Sequence, residues 1–502
     1  MNFYFLVVLA FALGFEPRPL EEPAREGMRL LAVGMGTLFL LFSAKGIAVW
    51  AISRLRRDFS DRLRIITRFH RLRRLHGLLA VVVFGVMIFF CDWNSLVLYH
   101  WRLRGWPIVD ELAIIAPYLF AEVVAILCFQ SVDETIAEQF AAQGRRPRHH
   151  WSRREYLSFQ FRTQYGVWLA ASLLLTSSRI VFAFFCPSWA SSPTIAPIQT
   201  GVTSIVVLLL APVILRLVWR ADPLPVGPLR NLLIHLSHKL RFLCDDILVW
   251  RTHGGIANAA ISGMIPRIRY VMLSDALLEQ LSPEEIVSVY GHEVGHVRHH
   301  HLSYYFAFIV GSMLFVVLLS ACIEGWIQAT VEPATWEWFD SYREYAPIEI
   351  LLLIPYFTFV FGYLSRRFER QADLFGSRTV SQALLDIVGP SVALENPYAI
   401  NPNSAGTPVA VSVGKAGEPP VIPAGVRVFV QALERVAELN GVTPNLWSWR
   451  HGSIAQRIEF LEQVGREPSL GDRFDSSMRK LRWGLALALA AGITVLAFLT
   501  PV

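Results

Sequence analysis

Long apolar runs alternate along the chain with shorter arginine-rich or mixed polar stretches, and the run lengths give the first division. A helix needs about 20 mostly apolar residues to cross a bilayer. Runs of that kind lie at 30–52, 78–99, 112–129, 166–185, 200–219, 304–323, 347–364 and 484–500. A shorter run at 3–15 lacks the positive flank of a secretory signal and is taken as a further span. The polar connections differ sharply in charge. Segment 54–77 holds nine arginines, and 131–165 contains "GRRPRHHWSRR". Segment 186–199 has no charge, and 324–346 has one arginine against five acids. Arginine-rich connections stay on the cytoplasmic side. Alternation along the spans then satisfies all four segments, and it places 220–302 and 365–483 together in the cytoplasm.

Five regions follow. Residues 1–219 form an N-terminal multi-span region, 303–364 a membrane hairpin, and 484–502 a C-terminal transmembrane helix. Residues 220–302 and 365–483 are the two halves of one water-exposed domain. Within the second half, 390–425 is rich in Pro, Gly, Ser and Asn ("NPNSAGTPVAVSVGKAGEPPVIPAG") and reads as a flexible insertion. The "RVFVQALERVAELNGV" after it has helical periodicity. Composition agrees. The 502 residues are 54% hydrophobic and 17% charged, against about 25% charged in soluble proteins. The expected class is a mainly α polytopic membrane protein. The net charge of +6 is carried mainly by arginine beside the spans, so it marks contact with the lipid bilayer and no nucleic-acid partner. The five cysteines form no CxxC and are assigned to packing.

One polar stretch carries chemistry: "VSVYGHEVGHVRHHH", Val287 to His301. His292 and His296 are four residues apart, so on a helix both imidazoles point at one ion. Glu293, one position on, turns aside and reaches a water without taking a ligand position. The preceding "LSPEEIVSVY" supplies a helix start: Ser282 as N-cap, Pro283 at the first helical position, Glu284 and Glu285 in the first turn. A zinc site needs a third protein ligand. Two crossings separate the motif from "SRRFERQADLFGSR", so Glu369 returns to the same membrane face. Glu369 and Asp373 again share a helical face, the first suited to binding metal and the second to holding a ligand histidine by its other ring nitrogen. By itself, such a pair is also an ordinary helix-surface pair near Arg366 and Arg370. His301 follows His296 by five, and His299 and His300 are placed on a solvated helix end.

The chain resembles the integral-membrane zinc metalloproteases of peptidase family M48, which include the type 1 CAAX prenyl endopeptidases and the heat-shock protease HtpX. The resemblance rests on "HGGIANAAISGMIPRIRYVMLSDALLEQLSPEEIVSVYGHEVGH", the hairpin, "SRRFERQADLFGSR" and "WRHGSIAQRIEFLEQ", within residues 220–465. It implies a gluzincin-like zinc protease domain with a small β-sheet on the cytoplasmic face. It also implies one Zn2+ per chain held by His292, His296 and Glu369, with Glu293 as general base and Asp373 behind the ligands. His451 and Arg457, six apart, match a family pair that steadies the substrate carbonyl or oxyanion. The family's Thr-His-Pro is Arg450-His451-Gly452 here, which puts the local turn in doubt. Asn258 and Ala259 match an Asn-Ala pair along the family's cleft. "RIRYVMLSD" reads as a strand, whose edge in the family receives extended substrate.

The expected function is a zinc-dependent endopeptidase of the cytoplasmic membrane, with its active site on the cytoplasmic side. It would act on peptide bonds of membrane or membrane-associated proteins. The alternative is a catalytically silent sensor or scaffold that keeps the zinc fold, against which the intact Glu293 argues. A transporter would explain intramembrane Lys45 and Glu122 but not HExxH paired with ExxxD.

Overall fold

The apolar runs fold as helices, since a long apolar segment satisfies its backbone groups internally only in that form. The computed structural model describes residues 3–13, 26–142, 152–332, 335, 356–388 and 421–499. The chain separates into two compact units, Met1–Ala221 and Asp222–Val502. Among the described residues, six helices are long and apolar enough to cross a membrane: Glu26–Arg57, Arg64–Phe89, Val109–Gln139, Arg153–Phe185, Ile195–Trp219 and His301–Thr330.

The first unit comprises α1 (Phe3–Leu13), α2 (Glu26–Arg57), α3 (Arg62–Phe89), α4 (Val109–Ala142), α5 (Arg153–Phe185) and α6 (Ile195–Trp219). Its core gathers Phe5, Phe84, Tyr118 and Tyr165, with the Phe5 and Tyr165 rings edge to face at 5.1 Å. Inside it, Tyr165 Oη donates to Glu122 Oε2 at 2.6 Å. Many large apolar side chains face outward instead, Phe42, Phe90 and Phe184 among them. Such a surface suits hydrocarbon and not water. The arginine-rich segment 54–77 differs from the expected loop. The last turn of α2 and the start of α3 absorb it, and only residues 58–61 connect them. Arginine is a good helix former whose long stem reaches water from a helix end, so charge there did not mark a break in helix.

The second unit is built on a four-stranded mixed sheet of β1 (Asp222–Pro223), β2 (Asp246–Trp250), β3 (Ala259–Ser262) and β4 (Tyr270–Ser274). The order is β1-β2-β4-β3, with β2 and β4 parallel and the other pairs antiparallel. The expected strand in "RIRYVMLSD" is β4, but it is interior and wholly buried, paired on both sides. The open edge belongs to β3, which carries Ala259. Helices α7 (Pro228–Lys239), α8 (Asp275–Gln280), α9 (Pro283–Arg298), α10 (His301–Thr330), α11 (Gly362–Val388), α12 (Pro423–Leu439), α13 (Ile454–Arg466) and α14 (Ser469–Leu499) complete the unit. The HExxH helix is α9. Its start is a full capping box, with Ser282 N donating to Glu285 Oε2 at 2.8 Å and Glu285 N to Ser282 Oγ at 3.3 Å.

Of the expected return span 347–364, the part before Tyr356 lies outside the described residues, as does 390–420 of the expected insertion. The remainder enters as a π-turn, Phe357–Phe361, that runs straight into α11. Glu369 and Asp373 therefore sit on a continuous helix leaving that span. The apolar run after 484 forms the C-terminal half of α14.

Candidate metal centre

Glycine brings α9 and α11 close enough for their side chains to converge. A Cβ on Gly376 would stand 2.9 Å from Ser288 O and 3.0 Å from His292 N, and one on Gly291 would stand 2.7 Å from Thr379 Cβ. Both are closer than carbon and its neighbours tolerate, so these positions admit only a hydrogen. Across this contact His292, His296 and Glu369 each offer a donor atom within 4.8 Å of the others. His292 Nε2 and His296 Nε2 are 3.2 Å apart, and each lies 3.8 Å from a Glu369 oxygen. Tetrahedral zinc at bond lengths of about 2.0–2.1 Å separates its donors by roughly 3.3–3.4 Å. The three edges straddle that value. Two imidazoles and one carboxylate also match the chemistry of a catalytic zinc site, which keeps its fourth position open. The residues present therefore fit the metal.

The surrounding charges are balanced. Arg457, on α13, donates from Nε to Asp373 Oδ2 at 2.8 Å and from Nη2 to Asp373 Oδ1 at 2.5 Å. Its Nη1 lies 3.6 Å from Glu369 Oε2. Asp373 Oδ1 is also 2.9 Å from His292 Nδ1, the ring nitrogen away from the cluster. Burial opposes the ionisation of Asp373, but Arg457 and His292 outweigh it and hold the carboxyl below its usual range. Burial likewise opposes charge on Glu369. There, the His451 contact and the Arg457 charge win, and Glu369 stays well below the ordinary carboxylate value. Glu293 behaves differently. Burial pushes its carboxyl up to about 7, past the opposing pull of His292. A group poised near neutrality suits a general base. Its Oε2 accepts from Ile261 N at 3.2 Å, so the base is held against the open edge strand β3. Burial pushes His296 down to about 4, leaving it the neutral form a metal requires.

The other expected positions fall around this centre. His451 Nδ1 lies 3.1 Å from Glu369 Oε1, with its side chain 48% exposed. It stands in a turn closed by Gly452 N donating to Ser448 O at 2.8 Å, with Gly452 at φ +73°. Proline has neither that N–H nor that φ, so the departure from Thr-His-Pro changes the turn and still leaves the histidine beside Glu369. Asn258 is exposed at the start of β3, its backbone tied to Ser274 by Asn258 N to Oγ at 2.9 Å and Ser274 N to O at 2.9 Å. Ala259 is buried. The five cysteines are free, and among the described residues they do not join the His-His-Glu group.

His299, expected on a solvated helix end, is half-buried with its ring edge to face with Phe375 at 5.6 Å, and His301, marked in the sequence only by its spacing from His296, was given no role. The helix of the motif ends at Arg298, and His300 turns the chain at φ 57°. His301 opens α10 facing inward, 1% exposed, with Nδ1 2.9 Å from His296 Nδ1. Ile261, whose signal is a backbone N–H, had no side-chain signature to find.

The chain is similar to known proteins over the part that carries this cluster. Residues 246–463 match the family described as Peptidase family M48. A rice (Oryza sativa subsp. japonica) protein named CAAX prenyl protease 1 homolog is 30% identical over 186 residues, 34% of this chain and 41% of the relative. An Arabidopsis thaliana protein of the same name is 29% identical over 191 residues, 35% of this chain and 42% of the relative. The match thus spans about two fifths of the curated relatives' length. The crystal structure of S. mikatae Ste24p aligns with TM-score 0.44 and 14% identity, covering 91% of this chain and 99% of that one.

Proposed function

Because residues 246–463 match peptidase family M48, we propose that this multi-pass membrane protein is a zinc-dependent endopeptidase. It hydrolyses peptide bonds of membrane or membrane-associated proteins. The observation that carries this reading is the convergence of His292, His296 and Glu369 beside a Glu293 raised to about 7. One zinc per chain, held by those three residues, would polarise the scissile carbonyl and acidify a water. Glu293 takes the proton of the attacking water and delivers it to the leaving amine. Arg457 holds Asp373, and through it His292, while its Nη1 adds positive charge beside Glu369. His451, half exposed beside Glu369, steadies the developing oxyanion together with that charge. The substrate is an extended polypeptide that pairs with the free edge of β3, passing Asn258 and Ala259. The arginine pattern supports a site on the cytoplasmic face of the cytoplasmic membrane.

A sensor or scaffold that keeps the zinc fold without turnover needs the ligands but not the base, and Glu293 is present and bonded at the strand edge. The test is metal removal. The purified full chain in detergent, given a labelled unfolded casein, should cleave it, stop after chelation, and recover with about one equivalent of zinc. Cleavage that survives chelation would refute the zinc mechanism. Zinc-loaded protein that never cleaves would favour the scaffold.

A further inference from the structure

His301 has no part in the mechanism above, yet it is packed with unusual definition. Its ring stacks on Phe368, with centroids 4.2 Å and planes 6° apart, and this fixes where both nitrogens point. Nδ1 meets His296 Nδ1 at 2.9 Å, and Nε2 meets Gln371 Oε1 at 3.1 Å. Gln371 Nε2 reaches Asp475 Oδ1 at 3.2 Å, and Arg378 Nη1 reaches Asp475 Oδ2 at 2.9 Å. All of these side chains are buried or half-buried.

Proton ownership along this chain follows from its far end. Asp475 takes Arg378 Nη1 on Oδ2 and turns Oδ1 to Gln371, so its side chain acts here as the acceptor. Gln371 must therefore present its amide nitrogen to Asp475 and its oxygen to His301. That oxygen needs a donor, so His301 carries its proton on Nε2 and leaves Nδ1 bare. A bare Nδ1 accepts from His296, which must carry its own proton on Nδ1. His296 Nε2 is then unprotonated, and it is the nitrogen that faces His292 Nε2 and Glu369. Every donor meets an acceptor in this one arrangement. The reverse arrangement would turn the Gln371 oxygen onto the Asp475 carboxylate.

We infer that His301 is a positioning residue: with Gln371 and Asp475 it forms an ordered hydrogen-bond relay that locks His296 in its metal-binding tautomer. This rests on the reading that His296 binds zinc through Nε2. The two histidine ligands are then supported differently, His292 by an anionic carboxylate and His296 by a neutral imidazole. The relay also ties the ligand to α14, the helix that bears Asp475 and runs on into the last apolar segment.

The test is zinc affinity of the full-length protein in detergent, by competition with a chromophoric chelator, for the parent, His301→Leu and His301→Asn. Leucine fills the space without an acceptor. Asparagine places Oδ1 where Nδ1 stood but gives up the ring stack. Loss of an outer-shell partner costs about 10–100-fold in metal affinity. The relay predicts that loss for leucine and a return to within a few-fold of the parent for asparagine. Equal binding by all three, or equal weakening of both variants, would overturn it, since packing and not the acceptor would then decide. A parent that takes up no zinc overturns the metal reading as well, and that result is visible from the parent alone.

Discussion

Glu293→Gln is expected to lower peptide cleavage by at least about 100-fold, with zinc content unchanged, because general acid–base catalysis contributes about 10²–10⁴. Glutamine has the same shape as the carboxylate and keeps an oxygen for the Ile261 N–H, now 3.2 Å from Glu293 Oε2. The strand edge should therefore stay in place. What glutamine lacks is a site that takes a proton and returns it. The carboxyl is suited to both steps because burial lifts it to about 7, where neither form is strongly preferred at neutral pH. Metal analysis and a cleavage assay on the same preparation check the two halves separately. Undiminished cleavage would remove Glu293 from the chemistry, and lost zinc would make it a ligand.

The second large effect is on the metal. Glu369→Ala removes the only carboxylate of the three donors, and zinc affinity should fall by more than the roughly 100-fold seen when outer partners are changed. The fold should tolerate the change. Arg457 keeps its paired contacts with Asp373, and the glycine-mediated contact between α9 and α11 does not involve Glu369. Zinc content by metal analysis, read beside the thermal unfolding of both proteins, distinguishes a lost ligand from a lost fold. Retention of the full zinc complement by a folded variant would mean the hairpin does not deliver the third ligand.

Some of this architecture could be read from residue order because it rests on local rules. The start of α9 was legible in Ser282, Pro283 and Glu285, since a cap is a contact among near neighbours. The two histidines were legible because helical periodicity puts i and i+4 together. Glu369 needed a count of membrane crossings together with the family resemblance, since its pair with Asp373 alone also reads as an ordinary helix surface. The parts that escaped are long-range or lack side-chain signals. Strand β4 has a strong β pattern, so it looked like the substrate edge. Strand β3, "AAIS", has almost none, yet it lies at the open edge of the sheet. His301 had only its spacing from His296 to mark it, because nothing in "VRHHHL" signals the turn at His300 that aims it inward. Its relay partners Gln371 and Asp475 lie 70 and 104 residues further along successive steps, a pairing that only the folded chain supplies. The arginines of 54–77 were misread for the opposite reason: their charge is conspicuous but silent about helix continuity.

The central claim is that His292, His296 and Glu369 hold one zinc, and zinc-edge X-ray absorption of the purified full-length parent addresses it most directly. The account predicts stoichiometric zinc with a nearest shell of nitrogen and oxygen alone, at about 2.0–2.1 Å, and outer scattering from two imidazoles. Absent zinc, or a sulfur shell near 2.3 Å drawn from the five free cysteines, would contradict it.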